Sequence, residues 1–344
     1  MDESEEVELG HQDAPVSLEE IYLDFESRSA GPGQIRRRVY RADNADLVAL
    51  LNVESGLRAA RFEFRNQLHL TGFSDQIKGL RLGLATVSAD SADLLIEQAR
   101  PNDGQLFAVV IEDLLKAIVR AEAGREWQAV ASRLSRWQVF FQKSAEGLSR
   151  DQQLGLMAEL ETMVYIASNG ADWVSLTDAW HGPASEVHDF SADHWALEVK
   201  ATSVLGSGTA MISSERQLDP DEMSPLFLFF RGYDVRPHGH SPTLPSLVAR
   251  VRSALMAFAP ASNRFEDLLL EVGYLDLHAR LYISHYELVR EEIFYVNHDF
   301  PSIRVHGLPD GVSRTKYALN VDKCQAWRAP TSVLIAGFTE GEAE

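Results

Sequence analysis

Asp189, Glu198 and Lys200 bring two carboxylates and one ammonium into a single short stretch of chain. Successive side chains of a strand point to opposite faces, so Glu198 and Lys200 share one face of the run Trp195 to Ala201. Leu197 and Val199 then point the other way, into apolar packing. The run Glu186 to Phe190, a four-residue polar turn and Trp195 to Ala201 together read as a β-hairpin, which returns Asp189 to the same edge. Two carboxylates at one edge suit a hard divalent cation with oxygen ligands, Mg²⁺ with Mn²⁺ as its substitute. An ammonium beside them orients an attacking water and offsets developing negative charge. That combination is the chemistry of phosphodiester hydrolysis. The competing reading is a salt-bridge ladder on an ordinary strand. Against it, Lys200 is the only one of six lysines with an acid two residues before it, and the surrounding strand is apolar. Charges in such a strand are costly unless they are functional or tightly partnered.

A third carboxylate has to come from the helix upstream. Ser149 followed three residues later by Gln152 is a capping-box signature, and Asp151 sits in the first turn, where the helix dipole favours a negative charge. Leu156, Leu160, Met163, Val164 and Ala167 supply an apolar face, and Gly170 is placed to end the helix. Both Glu159 and Glu161 lie on this helix, and the residues alone leave the choice open.

These motifs carry a resemblance. The runs Gly155 to Leu160, Trp180 to Pro183, His188 to Phe190 and Leu197 to Lys200, followed by Ile212, Ser213, Ser214, Gln217 and Leu218, resemble a bacterial family of PD-(D/E)XK motif proteins. Phe300 and Pro301, Leu308, Pro309 and Gly311, and Tyr317 to Leu319 extend it over most of the chain. The resemblance implies an α/β (α+β) fold with a restriction-endonuclease-like core, a central mixed sheet flanked by helices, plus N- and C-terminal additions. It also implies a setting among restriction or phage-defence genes, with nucleic acid, DNA foremost, as substrate and a homodimer or defence-system proteins as partners. Carried over by position, the catalytic set is Glu159, Asp189, Glu198 and Lys200, with Gln217 as an accessory residue near the scissile phosphate. Glu159 is thereby ranked ahead of Glu161. Ala158 stands where family members tend to carry Gly, a change that favours the helix. Nuclease folds also host catalytically silent subunits that bind DNA or a partner, so the resemblance leaves that alternative standing.

Composition sets the outer bounds. A chain of 344 residues with 45% hydrophobic and 24% charged residues is ordinary for a globular protein. The apolar runs, Leu226 to Phe230 among them, are far too short to span a bilayer, and the acidic N-terminus lacks the basic flank of a signal peptide. A single cysteine, Cys324, excludes an internal disulfide framework and a multi-cysteine zinc site. A cytoplasmic protein with no membrane partner is expected. The net charge of -19 disfavours phosphate binding, but residues 1 to 26 hold ten acids and no Lys or Arg. About half the excess therefore sits there, while residues 28 to 65 carry eight Arg against four acids.

Four segments are expected: an acidic flexible arm (1–33) without a packed role, an N-terminal α+β region (34–145), a nuclease core (146–235) and a C-terminal α/β extension (236–344). The N-terminal region should hold a small sheet and then helix over residues 104 to 143. Strands are expected over Thr209 to Ser213 and Leu226 to Arg231, helices over residues 245 to 258 and 263 to 272, and short mixed elements at Leu281 to Ser284, Ile293 to Val296 and Tyr317 to Val321. His188, His194, His238, His240 and His298 read as solvated turn histidines, Gly206 to Gly208 as a flexible loop, and Trp127 and Trp137 as core residues.

Overall fold

Strand-forming and helix-forming runs alternate along the chain in a way that separates two units, residues 1–145 and 146–344. The computed structural model describes residues 17–28, 33–65, 76–77, 79–88, 91–143, 146–182, 187–192, 195–203, 208–220 and 225–339.

The first unit contains α1 (Leu18–Arg28), then β1 (Gln34–Arg41), β2 (Ala45–Asn52), β3 (Leu57–Arg65), β4 (Gln76–Ile77), β5 (Leu80–Ser88) and β6 (Ser91–Gln98). Helices α2 (Gly104–Arg120) and α3 (Glu126–Lys143) follow. The strands form an antiparallel sheet in the order β1-β2-β3-β6-β5-β4. Trp127 and Trp137 are buried here, as a core reading requires.

The arm reading fails over residues 18 to 28. Leu18, Ile21, Tyr22 and Phe25 recur at helical spacing and are buried, a stripe that the acids between them conceal at the level of composition. The Tyr22 hydroxyl donates to the Ala59 carbonyl at 2.7 Å. Arg58, itself buried, binds Glu19 at 2.5 Å and Glu26 at 2.8 Å. Two acids of the acidic stretch, Glu19 and Glu26, are thus counter-ions for Arg58 of the Arg-rich stretch. Arg65, Arg38 and Arg41 likewise gather on the fully buried Asp46, and Arg61 on Glu63 and Asp93. Much of the positive charge of residues 28 to 65 is therefore neutralised within the unit.

The second unit builds the candidate site. Helix α4 (Arg150–Ser168) begins with the expected box: the Ser149 hydroxyl accepts from the Gln152 amide, and the Gln152 side chain accepts from the Ser149 amide. Next come α5 (Trp173–Ala179), β7 (Phe190–Ala192), β8 (Trp195–Thr202), β9 (Thr209–Ile212), β10 (Leu226–Arg236), α6 (Leu244–Leu255) and α7 (Ala259–Val272). The chain ends in β11 (His285–Val296), β12 (Tyr317–Asn320) and α8 (Thr331–Thr339). The sheet runs β11-β10-β8-β7, with β8 and β10 parallel and the flanking pairs antiparallel. It is the mixed sheet expected. Leu197, Val199, Phe227 and Phe229 pack on one face into a core shared with α4, α6 and α7. Ala196, Leu228 and Phe230 pack on the other against Ile212 and Leu319 of the small β9–β12 sheet. Burial on both faces explains why β10 opens as an unbroken apolar run rather than an alternating one.

Three boundaries differ from expectation. The first hairpin strand starts at Phe190, leaving Asp189 in the bend before it, while Glu186 lies outside the described residues, as do Pro183, His194, Gly206 and Ser207. The short run at Ile293 to Val296 is the end of a twelve-residue strand. That strand pairs with β10 from Leu226 to Arg236, so the division between core and extension at residue 235 cuts through a sheet. Long-range pairing of this kind has no local signature. Among the described residues no helix is long and apolar enough to cross a membrane.

Phe25→Ala tests whether α1 is part of the first unit's core. Loss of this buried ring should lower stability to urea by about 3 kcal/mol, the scale of a large core deletion. An unchanged urea midpoint would show that the helix is not packed.

Candidate active site

Strand β7 stops at Phe190 opposite Leu197, so the Val199 amide lies beyond the end of the ladder. Asp189 takes its place: Oδ2 accepts from the Val199 amide at 2.7 Å, while its backbone carbonyl accepts from the His181 amide at 3.0 Å. A carboxylate that replaces a strand in this way is held rigidly beside β8. In register on β8, Glu198 lies opposite Leu228 and Lys200 opposite Phe230. Glu198 is fully buried, with Oε1 2.5 Å from the Lys200 ammonium. Neither carboxylate oxygen receives a well-formed hydrogen bond among the described residues, and Oε2 has no donor at all. Buried polar atoms are nearly always bonded, so an orphaned carboxylate oxygen marks a place shaped for something else.

Helix α4 supplies Glu159, which is also buried. Its Oε2 accepts from the Trp180 indole Nε1 at 2.9 Å, and that indole is fully enclosed beside Phe265. Glu161 goes elsewhere. It accepts from the Tyr233 hydroxyl at 2.8 Å and pairs with the buried Arg231, whose guanidinium lies 4.4 Å over the Phe229 ring. The structure thus separates the two helix acids: Glu159 joins Asp189, Glu198 and Lys200, and Glu161 does not. Gln217 is engaged in a turn, where its Oε1 accepts from the Ser213 amide at 2.8 Å.

The electrostatics follow from three acids around one cation. Burial pushes Glu159 up from its ordinary value to about 8, and the Asp189 charge adds to the rise, against the opposing pull of Trp180 and Lys200. Burial, then the charge on Asp189, hold Glu198 well above the usual carboxylate range despite Lys200. Asp189 is raised by burial, with Lys200 and the Val199 amide opposing. Burial works to lower Lys200, but Glu198 and Asp189 outweigh it and keep the ammonium charged. One Lys cannot neutralise three acids, so the pocket takes protons or a cation.

The donor set is all oxygen. No three His, Cys, Asp or Glu side chains among the described residues form a ready-made metal cluster. Mg²⁺ does not require one, because it keeps several waters and takes one or two protein carboxylates. The orphaned Glu198 oxygen and the neighbouring Asp189 carboxylate fit that demand, with Glu159 in reach by charge if not by contact. Trp180 is the site residue that the sequence reading passed over. It stood in a turn-like run whose spacing says nothing about where an indole points.

A mixed sheet flanked by helices, with Asp189 at a strand end and Glu198 and Lys200 on the next strand, defines a restriction-endonuclease-like fold. The chain belongs to the family described as "Putative PD-(D/E)XK family member, (DUF4420)", whose model matches residues 18–322. No curated protein and no solved structure matches the chain.

Glu159→Gln keeps the Trp180 acceptor but removes the ionisation. A carboxyl raised in the folded state takes up a proton on folding, so its contribution is fully present below about 4.5 and is lost as pH rises through about 8. The metal-free variant should therefore melt with the wild type at pH 4 and above it at pH 9. A constant difference across that range would contradict the buried, protonated state.

Proposed function

We propose that this protein is a Mg²⁺-dependent endonuclease that hydrolyses phosphodiester bonds of DNA, serving bacterial restriction or phage defence in the cytoplasm. The observation that carries the reading is the buried Glu198 carboxylate, beside Lys200 and within the field of Asp189, with an oxygen that no donor among the described residues satisfies. Asp189 and Glu198 would hold the cation, Mn²⁺ serving in place of Mg²⁺, and Glu159 would complete the acidic set. When bound, the cation supplies Lewis acidity and offsets charge on the scissile phosphate.

The chain's own groups do the rest. Asp189, fixed by the Val199 amide, and Glu198, fixed in the middle of a buried strand, keep their positions with or without substrate. Preorganisation of this sort removes the reorganisation that a flexible acid would require. Lys200 keeps a proton at Nζ, orients the attacking water and stabilises the negative charge that builds on the phosphate oxygens as the water oxygen attaches and the leaving oxygen departs. The Lys200 side chain reaches the surface, at 15% exposure against none for Glu198. Trp180 is a positioning residue that holds the Glu159 rotamer.

Cleavage of supercoiled, linear and single-stranded DNA with Mg²⁺ or EDTA, run beside Lys200→Ala, tests this reading. Wild-type protein should cut only with the divalent ion, and Lys200→Ala should be about 10² slower or worse while still binding DNA. Cleavage in EDTA, or a variant as fast as wild type, would reject the mechanism. DNA binding without cleavage by either protein would favour a silent binding subunit.

A further inference from the structure

A cavity with a volume of about 430 Å³ lies between the bend that carries Asp189 and the turn that follows β9. Val187, His188 and Ser191 form one wall, Arg216 and Asp219 the other, and Val305 closes the end. Asp219 belongs to the same neighbourhood as Lys200, because the buried Tyr317 hydroxyl lies within electrostatic range of both. His188 precedes Asp189 in the chain, so the cavity adjoins the bend that carries one of the carboxylates.

The turn that presents Arg216 is fastened on every side. Leu218 is fully buried in the core beneath it. The Gln217 side chain accepts from the Ser213 amide at 2.8 Å, and the Arg216 amide donates to the Ser214 hydroxyl at 3.2 Å. Glu215 accepts from the Thr315 amide at 2.7 Å and from the Arg314 amide at 3.2 Å. Asp219 accepts from the Val305 amide at 3.1 Å. Each polar neighbour of Arg216 is thus spent on the backbone. The Arg216 guanidinium itself is exposed and makes no hydrogen bond or ion pair among the described residues. Its electrostatic neighbour, the Glu215 carboxylate, is already committed to the Arg314 and Thr315 amides, so the guanidinium fork stays open to a further anion, whereas most arginines described above are paired.

We propose that Arg216 is a substrate-positioning residue, which takes a non-scissile phosphodiester of the substrate strand in this cavity, next to the bond that Lys200 serves. The inference rests on the phosphodiesterase reading and extends it to strand placement. A guanidinium offers a planar fork that matches two phosphate oxygens, and a preorganised turn loses little freedom on binding. Gln217 holds the backbone of this turn through its Oε1.

Steady-state cleavage kinetics and salt-dependent DNA binding of Arg216→Ala and Arg216→Lys, with Arg250→Ala as an exposed control on α6, test the proposal. Arg216→Ala should raise KM about tenfold, leave kcat within about twofold and lower the salt slope of binding by about one phosphate contact. Arg216→Lys should recover the slope but only part of the affinity, and Arg250→Ala should behave as wild type. Equal losses in Arg216→Ala and Arg250→Ala, or an Arg216→Ala protein indistinguishable from an active wild type, would overturn the proposal and leave the phosphodiesterase reading standing. A wild type that neither binds nor cleaves nucleic acid would overturn both.

Discussion

Three crowded acids share one ammonium, and the second unit is built to enforce that imbalance. Glu198 sits in the middle of a strand packed on both faces, so it cannot swing out to water. Asp189 substitutes for a missing strand at the end of β7 and is fixed by the Val199 amide. Glu159 is pinned by an indole. Burial raises each carboxylate, the charge on Asp189 adds to the rise of Glu159 and Glu198, and Lys200 relieves the crowding only in part. An apolar core of the same shape would be more stable. Such local conflict is the usual mark of a site that gives up stability for chemistry.

A second buried charge group lies on the same helix and shows what satisfaction looks like. Arg231 is almost fully buried, yet Thr162, Glu161 and Glu291 meet its guanidinium and the Phe229 ring covers it. Glu161 in turn receives the Tyr233 hydroxyl. This group joins α4 to β10 and β11 with most of its polar groups engaged. Two residues away on α4, Glu159 faces a cluster with more negative charge than partners. The contrast between two acids on opposite faces of one helix separates the structural network from the candidate site.

Much of this was legible in the sequence because it is local. The Ser149–Gln152 box, the alternation that puts Glu198 beside Lys200 and the helical spacing of Leu106 to Phe141 all depend on residues within a turn or a strand. What escaped notice is non-local. The twelve-residue β11 became visible only through its pairing with β10, and Trp180 acquired a role only when α5 carried it back to α4. Helix α1 was hidden for a different reason. Its acidic composition argued for a solvated arm, whereas Glu19 and Glu26 neutralise an arginine on β3 and four apolar residues of the helix reach the core.

The central claim is that the crowded carboxylates are held for a divalent cation, and the stability of the protein as a function of Mg²⁺ tests it most directly. Thermal unfolding at pH 8 should shift upward with Mg²⁺ in the wild type, by about 2.7 kcal/mol of added stability at a hundredfold excess over Kd. Glu198→Ala should melt higher than wild type without metal, since it removes a buried acid, and should show no Mg²⁺-dependent shift. A wild type indifferent to millimolar Mg²⁺, or a Glu198→Ala variant that shifts as much as wild type, would contradict the account.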